Sequence, residues 1–147
     1  FARQARRLMR SSGGSIITVT FAGGEKVVPG YNVMGVAKSA LDATVRYLAY
    51  DLGPEKIRVN AISPGPVSTL SSMVIEDFSI SLKLVQEHSP MLSNIATEDI
   101  GGAAVYLASD LSSSVTGTVL KVDSGMSIMV APSKVHRRYQ AKTSEKD

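Results

Sequence analysis

Residues 15–20 read SIITVT, a serine followed by five β-branched residues, with Gly13 and Gly14 immediately before them. β-branched side chains are stiff at χ1 and pack well on a pleated surface, so this run specifies a buried strand. A loop over residues 21–30 follows. Residues 32–52 then place Val33, Val36, Ala37, Ala40, Leu41, Thr44, Val45, Leu48 and Leu52 at helical spacing. That pattern predicts one apolar face of a long helix, stopped by Gly53 and Pro54. Residues 56–63, KIRVNAIS, give a second strand, ended sharply by Pro64, Gly65 and Pro66. A further helix is predicted over 97–108, with Thr97, Glu98 and Asp99 capping it and placing negative charge in its first turn. Residues 118–123, TVLKVD, form a third strand closed by Ser124 and Gly125. At the start, Ala2, Ala5, Leu8 and Met9 stand near helical spacing among arginines, without a capping residue. The chain is therefore expected to begin inside an element.

Strand, helix, strand, helix, strand implies parallel strands joined by crossovers, hence an α/β sheet covered on both faces. Three strands are few for a doubly wound sheet, and no glycine-rich loop of the G-x-G-x-x-G kind opens a helix. Gly23 and Gly24 follow a strand, but a loop containing Pro29 comes next and no helix start, which argues against a phosphate cradle. The absence of cysteine excludes disulfides, thiolate catalysis and Cys-ligated zinc. His88 and His136 are too far apart in sequence to suggest a metal motif and read as surface residues, so no metal is expected. A formal charge of +3 falls well short of a nucleic-acid-binding signature. No apolar run approaches a membrane span and no signal peptide is visible, which favours a cytoplasmic location. Residues 130–147 are expected to form a disordered basic tail.

The stretch that carries chemistry is residues 31–38, YNVMGVAK. Seven residues are about two helical turns with a drift of only ~20°, so Tyr31 and Lys38 are expected to share one face. An ammonium beside a phenol favours negative charge on the phenol oxygen. Such a tyrosine can donate a proton or a hydrogen bond to a developing oxyanion, and the lysine can also bind a cofactor hydroxyl. By spacing alone a chance pair is the commoner explanation. The context strengthens the functional reading. Ligands of open α/β sheets bind outside the carboxyl ends of strands, and Thr20, Phe21, Ser63 and Gly65 all fall at such ends, near the start of the Tyr31 helix.

Residues 31–38, residues 58–63 with Gly65 and Pro66, and residues 122–125 together resemble the short-chain dehydrogenase/reductase superfamily. Ordinary members space tyrosine and lysine four apart, whereas Gly35 stands at that distance here. The seven-residue spacing, the run from Val27 to Gly35, and Thr69 and Leu70 followed by Asp77 and Phe78 resemble the NADH-dependent enoyl-acyl-carrier-protein reductase branch. The resemblance implies that residues 1–129 are the C-terminal portion of a doubly wound, Rossmann-type reductase domain, with the N-terminal half absent. It implies Tyr31 and Lys38 as the catalytic pair. Lys38, Gly65, Pro66, Val67 and Thr69 would bind NADH, and Phe21, Met34, Ser71, Ile75 and Phe78 would line the acyl pocket. Met34 and Ile75 could equally be plain core, and Thr69 a helix cap. An acyl carrier protein bearing the enoyl chain and a homotetrameric assembly are the implied partners.

Several residues depart from the family pattern. Phe21, ten before Tyr31, stands where many members carry a second active-site tyrosine, so its hydroxyl is lost. Thr18, thirteen before Tyr31, falls where ordinary superfamily members place a helper serine, and reads as strand packing. Pro64 replaces a frequent alanine. Near Phe78 only Lys83 is basic, where relatives carry basic residues for the carrier. Phe78, Ile80, Leu82 and Leu84 alternate as in a strand, while the resemblance makes this segment a mobile helical lid. Two readings of the whole remain: an enoyl thioester reductase acting on carrier-protein or coenzyme A substrates, or a truncated, non-catalytic fragment that keeps only assembly surfaces.

Overall fold

The computed structural model describes residues 1–69 and 78–130. Three parallel strands, β1 (Gly14–Val19), β2 (Ile57–Pro64) and β3 (Val119–Val122), lie in the order β1-β2-β3. Helices α1 (Ala2–Met9), α2 (Asn32–Leu52), α3 (Phe78–His88) and α4 (Thr97–Ala108) flank them. The α/β class and parallel sheet expected from the alternation are present.

β2 is central, and every residue from Ile57 to Pro64 except Arg58 is buried, the signature of a parallel strand covered on both faces. β1 differs from expectation. Only Ile16 in it is buried, because among the described residues β1 pairs on one side alone. One face of the sheet packs Ile16, Val59 and Ala61 against Val45, Ala49 and Leu52 of α2. Fully burying an isoleucine, valine or leucine side chain contributes about 1.5–3 kcal/mol by removing it from water. On the other face sits α4. The Leu107 carbonyl near its end accepts from Ser15 Oγ and Arg58 Nη1, both at 2.8 Å, and Arg58 Nη2 donates to Ser109 O at 3.2 Å. A guanidinium thus satisfies carbonyls that a helix end leaves open. Asn60, fully buried, donates to Val115 O at 2.8 Å and accepts from Thr118 N at 3.1 Å, which fixes the approach to β3.

Four local expectations are corrected. α2 does not have a single apolar face. Asp42, Val45, Ala49 and Leu52 are buried, whereas Val33, Val36, Ala37, Ala40 and Thr44 are exposed, so the helix carries a second stripe pointing away from the sheet. α4 begins at Thr97, with Ala96 as its cap residue; Asp99 Oδ2 accepts from Ala96 N at 2.8 Å, and alanine offers no acceptor in return. Gly53 keeps helical geometry, and the left-handed residue that turns the chain into β2 is Lys56, with φ 56°. His88 is not a surface residue: its side chain is largely buried, with Nδ1 unpartnered. His136 and the rest of the expected tail beyond Val130 lie outside the described residues. At the start of the chain, Glu55 accepts a two-nitrogen hydrogen bond from Arg6, which holds α1 to the turn before β2. That hydrogen bond lowers the Glu55 pKa. The small stability it lends is present above the unfolded glutamate range and is lost as pH falls through the depressed folded value.

Candidate active site

β1 ends at Val19, and the chain enters a single 3-10 turn, Ala22–Gly24, that lies against the start of α2. Two glycines permit this approach. A Cβ on Gly24 would stand 2.7 Å from Asp42 Oδ2 and 3.0 Å from the Lys38 carbonyl carbon, and one on Gly23 would meet the Tyr31 ring at 2.6 Å. Ser39 Oγ, from α2, donates to Gly24 O at 2.6 Å and to Gly35 O at 3.1 Å. The outer part of the loop is tied to β3 and the turn after it: Lys26 Nζ donates to Ser127 O at 2.5 Å, and Lys121 Nζ pairs with Glu25 Oε2 at 2.7 Å. Gly23 and Gly24 are therefore close-packing residues rather than a phosphate cradle, consistent with the missing helix start.

Tyr31 is the cap residue of α2, at the end of this loop. Its ring meets that of Phe21 edge-on, with centroids 5.0 Å apart and planes at 64°. Lys38, seven residues on, donates from Nζ to the Val19 carbonyl at 3.0 Å. The tyrosine, the phenylalanine and the lysine thus all lie near the carboxyl end of β1, with the ammonium engaged with the strand. Beside Tyr31 opens a cleft of about 350 Å³ that the 22–30 loop and the first turns of α2 line, including Val28, Asn32, Gly35 and Ser39. Its volume sits at the small end of ligand pockets.

Gly65 continues from β2 and donates from its N–H to Val122 O at 2.8 Å. A Cβ there would press on Asp123 at 3.2 Å, so a side chain would separate the β2 exit from the β3 exit. Pro66, Val67 and Thr69 follow in the chain, half-buried. Met34 is half-exposed in the first turn of α2. Phe78 opens α3, so the alternating segment is helical, as the resemblance implied. Ser71 and Ile75 lie outside the described residues. Thr18 is a partly buried residue of β1. A larger groove of about 780 Å³ runs between α4 and the end of β3, lined by Ser93, Glu98, Asp99, Asp123 and Ile128 among others. None of the expected site residues among the described residues lines it.

Phe21→Tyr is expected to leave the melting temperature unchanged, because the added hydroxyl extends a ring that already packs edge-on against Tyr31; thermal melts of the variant beside the parent check this.

Comparison with known proteins places these features in a family. A family model described as enoyl-(acyl carrier protein) reductase matches residues 1–127. The enoyl-[acyl-carrier-protein] reductase [NADH] of Rickettsia typhi is 56% identical over 128 residues, 87% of this chain and 49% of that protein. That of Bacillus subtilis is 53% identical over 125 residues, 85% of this chain and 48% of that protein. Among solved structures, the reductase of Anaplasma phagocytophilum in complex with NAD superposes with a TM-score of 0.84 at 51% identity, over 90% of this chain and 50% of that one. The Plasmodium berghei enzyme with triclosan gives 0.81 at 37% identity, over 84% and 44%. The chain spans about half the length of the curated relatives it matches.

Proposed function

The chain belongs to the enoyl-acyl-carrier-protein reductase family, and on that premise we propose that it serves the NADH-dependent reduction of a trans-2-enoyl thioester to the saturated acyl thioester in fatty-acid synthesis, with an acyl carrier protein bearing the substrate. The observation that carries this reading is the gathering of Tyr31, Lys38 and the Phe21 ring at the carboxyl end of β1, beside the exit of β2. That is where an open α/β sheet binds its ligand.

The residues present fit a dinucleotide. An ammonium has three donors, and Lys38 spends one on Val19 O, which leaves donors for ribose hydroxyls. The turn at Gly65 brings backbone to the strand ends without a side chain in the way, where Pro66 and Val67 would meet the carboxamide and Thr69 the pyrophosphate. When bound, NADH supplies the hydride to the β carbon of the substrate. Tyr31 donates a hydrogen bond to the thioester oxygen as negative charge grows there, and Lys38 supports that charge through its own. The Phe21 ring fixes the Tyr31 ring from the side, and Met34 and Phe78 supply apolar surface for the acyl chain.

Lys38→Met tests the assignment. A charge-assisted hydrogen bond contributes about 1.5–3 kcal/mol, so NADH binding is expected to weaken roughly tenfold or more, together with turnover. Titration of nicotinamide fluorescence, with an enoyl thioester assay alongside, measures both. Parent-like affinity in the Met variant would remove Lys38 from the cofactor site.

A homo-oligomer is part of the same reading. Val33, Val36, Tyr47 and Tyr50 of α2 are each more than two-thirds exposed, and with Ala40 and Ala43 they continue a 3-4 spacing along one side of the helix. An apolar stripe of this length on a soluble surface marks an interaction face. We expect the chain to sediment above monomer mass and Tyr50→Glu to shift it towards monomer; sedimentation equilibrium of both provides the check.

A further inference from the structure

The layer between the sheet and α2 changes character along its length. Towards the amino ends of the strands it is apolar, with Ile16, Val59 and Ala61 against Val45, Ala49 and Leu52. At the carboxyl ends the buried residues are Thr20 at 2% exposure, Ser63 at 5% and Asp42 at 5%. Thr20 continues the β1–β2 ladder, donating from its N–H to Ile62 O at 2.8 Å. Val19 before it is half-exposed, and successive strand residues alternate faces, so Thr20 lies on the side of Ile16, towards α2. Its hydroxyl is buried and has no hydrogen-bond partner.

A buried hydroxyl left unpaired is destabilising, a cost that a valine of the same shape would not carry. From the facing helix, Lys38 reaches the same strand end: its Nζ lies 3.0 Å from the carbonyl of the peptide group that joins Val19 to Thr20. Two of its three donors are free of this contact. Asp42, one helical turn beyond Lys38, is a further buried polar side chain of this layer, with Oδ1 also unpartnered.

We propose that Thr20 is a positioning residue for Lys38: in the free chain the ammonium keeps one donor at the Val19 carbonyl and swings a second onto the Thr20 hydroxyl, a contact that holds it in place for the cofactor hydroxyls. The assignment rests on the reading of Lys38 as the cofactor-holding lysine. Thr20 acts through Lys38 and touches no substrate.

The test is made first without cofactor, on the 147-residue chain and its Thr20→Val and Thr20→Ser variants. An amine-reactive acylating reagent is applied at fixed pH, and modification of Lys38 is read by peptide mass spectrometry against exposed Lys56 as an internal reference. The valine variant is expected to acylate Lys38 roughly three- to tenfold faster, the effect of one lost hydrogen bond. The serine variant should react at the parent rate, and the valine variant should melt no lower than the parent. A purely structural hydroxyl moves stability and leaves the Lys38 rate alone, and that result overturns the proposal. Thr20→Ala, which removes the hydroxyl without adding bulk, gives the same readout if the valine variant does not fold. An NADH titration then separates the two readings. Weaker binding in the valine variant and parent-like binding in the serine variant support both. A changed Lys38 rate with no NADH binding to any variant supports the positioning role and removes the cofactor assignment.

Discussion

Tyr31→Phe is expected to lower turnover of an enoyl thioester by about 10²–10³-fold, the usual effect of deleting one oxyanion hydrogen bond, while NADH affinity stays within a small factor of the parent. The structure makes this a clean deletion. Tyr31 caps α2 with ordinary helical backbone angles, φ −80° and ψ −23°, which any residue adopts, so α2 starts in the same place. The Phe21 ring presses on the Tyr31 ring edge-on, and a phenylalanine keeps that contact. Lys38 is anchored to Val19 O rather than to the phenol, so the lysine stays in place when the hydroxyl goes. Single-turnover kinetics with saturating NADH isolates the chemical step. A turnover close to that of the parent would mean that the charge on the thioester oxygen is met by another donor.

The parts of this fold that the sequence announces are those in which one local signal has one physical meaning. The β-branched run before Thr20 and the KIRVNAIS run are strands because little else accommodates them, and the helical spacing after Asn32 becomes the long helix α2, from which Lys38 reaches the end of β1. The misread parts are those in which one signal serves two structures. Val33, Val36 and Ala40 have helical spacing whether they face the sheet or a partner, so α2 reads as one broad face although Asp42, a charged residue, lies on the buried side. The alternation from Phe78 to Leu84 looks like a strand, yet the segment is helical over Phe78–His88, and only resemblance pointed there. Thr20 reads in sequence as a residue at a strand end and no more, since nothing in a sequence marks a hydroxyl as unpaired. In sequence Gly23 and Gly24 read only as a pair unsuited to a phosphate cradle. Their meaning is a short distance between a loop and a helix, visible only once both are placed.

That short distance predicts the largest structural effect. In Gly24→Ala the new methyl would stand 2.7 Å from Asp42 Oδ2, 3.0 Å from the carbonyl carbon of Lys38 and 3.1 Å from Ser39 N. Asp42 is buried and has little room to swing, and Lys38 and Ser39 lie inside a 21-residue helix whose backbone cannot yield locally. The loop must therefore lift. Lifting breaks the 2.6 Å hydrogen bond from Ser39 Oγ to Gly24 O and withdraws Gly23, which stands against the Tyr31 ring. Overpacking of this kind costs about 1–3 kcal/mol, or roughly 2–12 °C of melting temperature for a chain of this size, and it displaces the tyrosine as well, so turnover should fall with stability. Gly53→Ala is the matching control: no atom lies within 4 Å of the added carbon and its φ of −54° suits any residue, so the melting temperature should hold or rise slightly. Thermal melts of the two variants beside the parent separate a glycine required by close packing from one that is merely tolerated; equal melting of all three would mean that the 22–24 turn does not rest on α2.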